Sequence, residues 1–283
     1  MDCYTYKEIN NCSTPILKNV DVVLILTMEG STRFKEDPFI LNLAKKTLIQ
    51  YNKGFRKCNK PSTIISSKED IVHAYYTAFN YLKDCNNVII LEDDALVINK
   101  DILIYEKIDN FINTHEFNVF TFGSNGIRSK YNNDFYKFDK DPFNSYKSSY
   151  YFAQANIYTR DARNKLIQDI SSSNFNKGQM DSFYISYLDN IFTYTYPLIV
   201  QLFPNTENME CWHCNKFVLY LTKFMIAILK LDTHTDAWFF FYFIFRNYIS
   251  IITLVIIVII VIILISIHYL NVYKVKSVKI SII

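Results

Sequence analysis

Asp21 to Thr27 (DVVLILT) is an unbroken apolar run rich in β-branched residues, the pattern of a strand buried on both faces of a parallel sheet. Glu36 to Tyr51 follows with apolar residues at helical spacing (Phe39, Ile40, Leu43, Ala44, Leu48) and predicts a helix. Ser62 to Ser66 (STIIS) reads as a second short strand. Lys68 to Lys83 is a helix capped from Ser66 or Ser67, and Asn87 to Leu91 (NVIIL) is the next buried strand. Ile102 to Asn113 is helical and Phe117 to Phe122 is a strand. Ser124 to Tyr150 is polar, aromatic and rich in Asn, Asp and Lys, a long loop or a pair of irregular hairpins. Tyr151 to Tyr158 resumes a strand, and Thr159 to Ser171 and Gln179 to Asn190 read as helices. Ile191 to Gln201 ends in strand-like TYTYPLIVQ. This alternation predicts an α/β domain whose mostly parallel sheet carries helices on both faces.

The pattern changes after residue 215. Tyr248 to Leu270 (YISIITLVIIVIIVIILISIHYL) carries no Asp, Glu, Lys or Arg. A helix needs ~20 apolar residues to cross the hydrocarbon core, whereas strands rarely exceed ~10, so the run predicts a transmembrane helix. Phe217 to Leu229, interrupted by Lys223, is too short to span. It is either an amphipathic helix lying on the membrane or a segment packed on the preceding domain. Trp238 to Phe245 (WFFFYFIF) resembles an interfacial aromatic belt. The expected organisation is an N-terminal tail (1–19), an α/β domain (20–215), a membrane-proximal segment (216–247), the membrane helix (248–270) and a basic tail (271–283).

Composition refines this picture. Half of the 283 residues are apolar and aromatics reach 17%, which argues against a disordered chain. The heavy use of Asn, Lys, Ile, Tyr and Phe with few glycines suits an AT-rich coding sequence. The net charge of +3 is matched by Lys274, Lys276 and Lys279 beyond the apolar run, and no arginine-rich tract points to nucleic acid. The first 18 residues lack the basic start and apolar run of a secretory signal, and Asn11-Cys12-Ser13 fits a glycosylation acceptor in an otherwise ordinary tail. The six cysteines (3, 12, 58, 85, 211 and 214) are therefore expected as free thiols rather than a disulfide framework. Cys211-Trp-His-Cys214 has metal-like spacing but no matching second pair, leaving a redox pair or local disulfide beside a zinc site. With no element to export the domain, it is expected to face the cytosol from a C-terminal tail anchor. The three terminal lysines argue for the opposite orientation.

The strongest chemical signal is Glu92-Asp93-Asp94, directly after the NVIIL strand. Ligands of open α/β sheets bind beyond the carboxyl ends of the strands. Acidic oxygens there suit Mg²⁺ or Mn²⁺ bridging to a diphosphate, against the ordinary reading of a solvated acidic turn.

The segment VIILEDDALV resembles the "ILEDD" strand and turn of family 25 glycosyltransferases, which have the GT-A fold. VVLILTMEGSTRF is similar to their first strand and basic loop, and DIVHAYYTAF to the helix before the motif, with Val72-His73 where that family carries a Ser-His pair. Tyr151 to Arg163, Gln179-Met180-Asp181 and the proline-containing Thr195 to Gln201 resemble later segments in the same order. The resemblance implies a GT-A-like domain that binds a nucleotide sugar with Mn²⁺ or Mg²⁺. Glu92 and Asp94 would hold the metal, Arg33 and Asp93 would contact the nucleotide sugar, and Asp181 would be the catalytic base or acceptor-positioning group.

The layout also resembles the poxvirus heparin-binding virion envelope protein family, which has a GT-A-like domain, no signal peptide and one C-terminal anchor. Asp70 to Asp94, Gly178 to Tyr187, and the NTENMECW and WFFFYFIF stretches between Pro204 and the apolar run carry that likeness. It implies a virion membrane protein that binds cell-surface glycosaminoglycan and aids attachment to host cells. The glycan-binding candidates are Arg128, Lys130, Lys137, Lys140 and Lys147, interspersed with Asp134, Asp139 and Asp141. An active metal-dependent glycosyltransferase is the alternative.

Overall fold

Residues 22–28, the most apolar run of the N-terminal half, form the strand around which the sheet is laid down. The computed structural model describes residues 2–9, 14–122, 135–137, 154–175, 180, 188–194, 198–201, 256–263 and 266. In chain order its elements are β1 (Tyr4–Ile9), β2 (Val22–Met28), α1 (Pro38–Leu41), β3 (Lys46–Asn52), α2 (Ser67–Tyr81), β4 (Asn87–Glu92), β5 (Ala95–Val97), α3 (Ile102–Thr114), β6 (Val119–Thr121), β7 (Phe135–Lys137), β8 (Ala155–Thr159), α4 (Arg160–Ser172), β9 (Ile191–Tyr194) and β10 (Ile199–Gln201).

Eight strands make one sheet in the order β1-β3-β2-β4-β8-β6-β9-β7, and β5 pairs with β10 in a small ribbon. The parallel character lies in β3-β2-β4 and in β6-β9. Strand β8 enters antiparallel between β4 and β6, and β1 and β7 close the edges antiparallel. The fold is thus mixed α/β.

Alternation along β2 feeds two cores. Val23 and Ile25 face Tyr105, Ile108, Phe111 and Ile112 of α3. Val22, Leu24 and Leu26 face Val72, Tyr75 and Phe79 of α2 and Leu166 and Ile170 of α4. Each such buried side chain contributes roughly 1.5–3 kcal/mol. Helix ends are set by short polar residues: Ser66 accepts from the Lys68 N–H, Asp101 from Leu103 and Thr159 from Ala162. At the far end of α2 the guanidinium of Arg163, 1% exposed, donates to the carbonyls of Leu82 (3.2 Å), Cys85 (2.5 Å), Asn86 (3.2 Å) and Tyr158 (2.8 Å). It ties the end of α2 and the loop into β4 to β8, and burial pulls its pKa down to about 10.

Four sequence expectations are corrected. The helix expected over 36–51 is one turn, Pro38–Leu41, after which the chain enters β3. Thr47, Leu48, Ile49 and Gln50 are all buried there, so both faces of the segment are covered and the strand wins over the helical spacing. Ser62–Ser66 is not a strand: Ile64 N–H bonds back to Pro61 in a turn, and Ile65 is 76% exposed. The segment assigned to an N-terminal tail supplies β1, six residues in antiparallel register with β3. Finally, Cys3 and Cys58 are joined in a disulfide, 55 residues apart with Cα atoms 5.6 Å from one another, where free thiols were expected. The cause is β1 itself: Lys53 N–H bonds to the Cys3 carbonyl, so the chain leaving β3 turns back past Cys3. Cys85 is a free, half-buried thiol whose pKa burial raises.

Two compact units divide the chain, Met1–Trp238 and Phe239–Ile283. In the second, residues 256–263 are helical, inside the span expected to cross a membrane. No helix among the described residues is long and apolar enough to cross one, and the rest of 248–270 lies outside them. Cys12, Cys211, Cys214, the expected 179–190 helix apart from residues 180 and 188–190, and the membrane-proximal segment also fall outside the described residues.

Candidate functional site at the carboxyl edge of the parallel strands

Strands β3, β2 and β4 run parallel and end together: Met28 pairs with Asn52, and Leu26 with Glu92. The acidic turn Glu92-Asp93-Asp94 joins β4 to β5 at this edge. The chain leaving β2 turns at the same place. Ser31 N–H bonds to the Met28 carbonyl at 2.9 Å, and Gly30 between them has φ +80°, the type II position that glycine takes without strain. The turn delivers Ser31 and Arg33 to the acidic segment.

Asp93 is the centre they converge on. Its Oδ2 accepts from Thr27 Oγ1 at 2.8 Å and from Ser31 Oγ at 2.9 Å. Its Oδ1 pairs with Arg33 Nη2 at 3.1 Å, the Asp93 side chain being 6% and the Arg33 side chain 32% exposed. The Arg33 backbone N–H returns to Ser31 Oγ at 3.3 Å. A carboxylate this buried requires such partners.

Glu92 departs the other way. Side chains alternate along a strand, so Glu92 shares the α2 face with Val88 and Ile90, and it accepts from Tyr75 Oη at 3.0 Å. Asp94 is buried. The acidic triplet is thus split by the pleat, with Asp93 committed to the β2 loop and Glu92 held by α2. Among the described residues no three or more His, Cys, Asp or Glu side chains gather as a metal site. Glu92 and Asp94 are hard oxygen donors of the kind Mg²⁺ takes in ones or twos beside substrate phosphates, so the donor chemistry fits that cation.

Beside this edge lies a second polar centre. Lys60 Nζ pairs with Asp70 of α2 and donates to Asn52 Oδ1 at 2.6 Å and to Tyr4 Oη at 2.9 Å. Asn52 Nδ2 donates to Asp70 Oδ2 at 3.1 Å. Tyr4 Oη is 2.7 Å from His73 Nδ1, and the His73 ring stacks on Tyr4 and meets Phe175 edge-on. Burial, then the neighbouring Lys60 charge, lower the His73 pKa to about 4. The Lys60 pKa is lowered by burial and supported by Asp70.

Of the residues singled out from the sequence, the structure brings Arg33 and Asp93 into contact and places Glu92 and Asp94 in the same turn. Asp181 lies outside the described residues, as do Arg128, Lys130, Lys140 and Lys147; Lys137 belongs to β7. Thr27, Ser31, Tyr75 and the Lys60–Asp70 pair were not singled out. Thr27 and Ser31 had a usable signal, as hydroxyls flanking the turn after the first strand; Lys60 and Asp70 had none.

No protein-family model matches this chain. No curated protein matches it. Among solved structures the chain is similar to a glycosyltransferase involved in the glycosylation of the major capsid of PBCV-1, with a TM-score of 0.37 and 10% identity over 65% of this chain and 94% of that one.

Proposed function

We propose that the α/β domain binds a nucleotide sugar at the carboxyl edge of β3-β2-β4 and transfers its sugar. The observation that carries this reading is the acidic β4–β5 turn meeting Arg33 at the edge where open α/β sheets take ligands. Arg33 would contact the donor diphosphate. Glu92 and Asp94 would hold a divalent cation, which when bound supplies charge neutralisation for the departing diphosphate. In the transfer the bond from the anomeric carbon to the β-phosphate oxygen breaks and a bond to the acceptor oxygen forms. The nucleoside diphosphate leaves with the electron pair, and the acceptor proton passes to a base, for which Asp181 is the candidate. In this reading the apolar segment 248–270 tethers the domain to a membrane surface.

The test is calorimetric titration of the full chain with uridine and guanosine diphosphate sugars, with and without Mn²⁺. Binding that Mn²⁺ strengthens is expected, and the Mn²⁺-bound affinity should fall at least tenfold in Asp94→Asn at an unchanged melting temperature. Absence of binding by every such donor would contradict the reading.

A further inference from the structure

Asp93 and Arg33 have different jobs, and their hydrogen bonds separate them. The Asp93 carboxylate, 6% exposed, already takes two hydroxyls and a guanidinium. A carboxylate offers about four lone-pair positions. Three are filled from protein, and little of the side chain is left in solvent. Arg33 is the reverse case. A guanidinium carries about five N–H donors in a rigid fork; the contact to Asp93 uses Nη2, and the remaining N–H groups have no partner among the described residues. Its side chain is 32% exposed, on a loop fixed by the Gly30 turn and by Ser31. The fork is therefore held from behind and open in front.

We infer that Asp93 is a positioning residue that aims Arg33, and that Arg33 is an anion subsite for a diphosphate that works without a metal ion. This deepens the reading above and rests on it for the identity of the natural ligand. A fork locked before the ligand arrives loses little freedom on binding, and its planar pair of N–H groups matches phosphate oxygens, which a lysine ammonium does not. An ordinary surface ion pair would have both partners in water. Here the Asp93 side chain is buried and the Arg33 side chain is the partner that reaches the surface.

The experiment titrates inorganic pyrophosphate and uridine diphosphate into the full chain in EDTA. Wild type is expected to bind both. Arg33→Ala should bind at least tenfold more weakly, and Arg33→Lys should fall in between. Asp93→Asn should weaken binding as Arg33→Ala does, and the double substitution should be no weaker than Arg33→Ala alone. A merely structural role for the pair would lower the melting temperature without this non-additive loss of affinity. Should Asp93→Asn fail to fold, the two Arg33 variants carry the test. Wild-type affinity in Arg33→Ala, or no binding to wild type in EDTA, overturns the inference. Donor binding that requires Mn²⁺ and ignores Arg33 leaves the proposed function standing and removes the subsite. Pyrophosphate binding through Arg33 with no nucleotide sugar bound does the opposite.

Discussion

Two buried aspartates at the same edge of the sheet each hold one cation, and the cations differ. Lys60 beside Asp70 has a side chain 1% exposed, and its ammonium is used up on Asp70, Asn52 and Tyr4. Arg33 beside Asp93 is 32% exposed and has donors to spare. Both aspartates need a partner because they are buried. Only one partner is arranged to meet something else as well. A saturated cation ties β1, β3 and α2 together; an unsaturated one at the rim is available to a ligand. Perturbed or paired charges alone do not mark a binding site, and donor accounting separates the two cases.

The comparison can be broken from the Lys60 side first, where the largest effect is expected. Lys60→Met leaves Asp70 buried without its cation and should cost about 3–5 kcal/mol of stability, read from urea unfolding. A loss under about 1 kcal/mol would show that the pair is not structural. Next in size, Cys58→Ser opens the bridge that holds β1 beside Lys60 and should cost about 2–4 kcal/mol. Because the bridge lies on the structural side, pyrophosphate affinity of the folded variant should be unchanged. Third, Arg33→Ala should lose about 1.4 kcal/mol of diphosphate binding, a tenfold change, while keeping the unfolding midpoint closer to wild type than Lys60→Met does.

The last comparison is the pH dependence from His73. Its folded pKa, about 4, lies below the ordinary value of 6.5. The unfolded chain therefore binds the proton first, and the contribution of neutral His73 is fully present above pH 6.5 and is lost as pH falls towards 4. Lys60 opposes protonation and Asp70 favours it. Urea midpoints measured across that window should fall in wild type and fall less in His73→Asn. An identical slope in the two proteins would remove His73 from the account.

Much of this architecture was legible in the chain. The DVVLILT and NVIIL runs are β2 and β4, and Ser66, one of the two expected candidates, caps α2. Strand β3 was hidden because the apolar spacing of α1 continues into it: Phe39, Ile40, Leu43, Ala44 and Leu48 fit a helix as well as they fit one turn followed by a buried strand. Strand β1 was hidden because only Tyr4, Tyr6 and Ile9 of its six residues are half-buried, and the exposed Lys7-Glu8 pair interrupts the alternation. The acidic triplet was visible as a motif, but its division was not, since that depends on the pleat sending Glu92 to Tyr75 and Asp93 to Thr27. Arg33 and Asp93 are far apart in sequence and meet only because β2 and β4 are neighbours. The Lys60–Asp70 pair depends on Asn52 and Tyr4, brought in by the two strands the pattern concealed.

The most direct test of the central claim, that Arg33 stands at a ligand site and Lys60 does not, is the affinity of the full chain for uridine diphosphate in wild type and Arg33→Ala. At least a tenfold loss on removing the guanidinium is the expected result. Equal affinity in the two proteins would contradict the account.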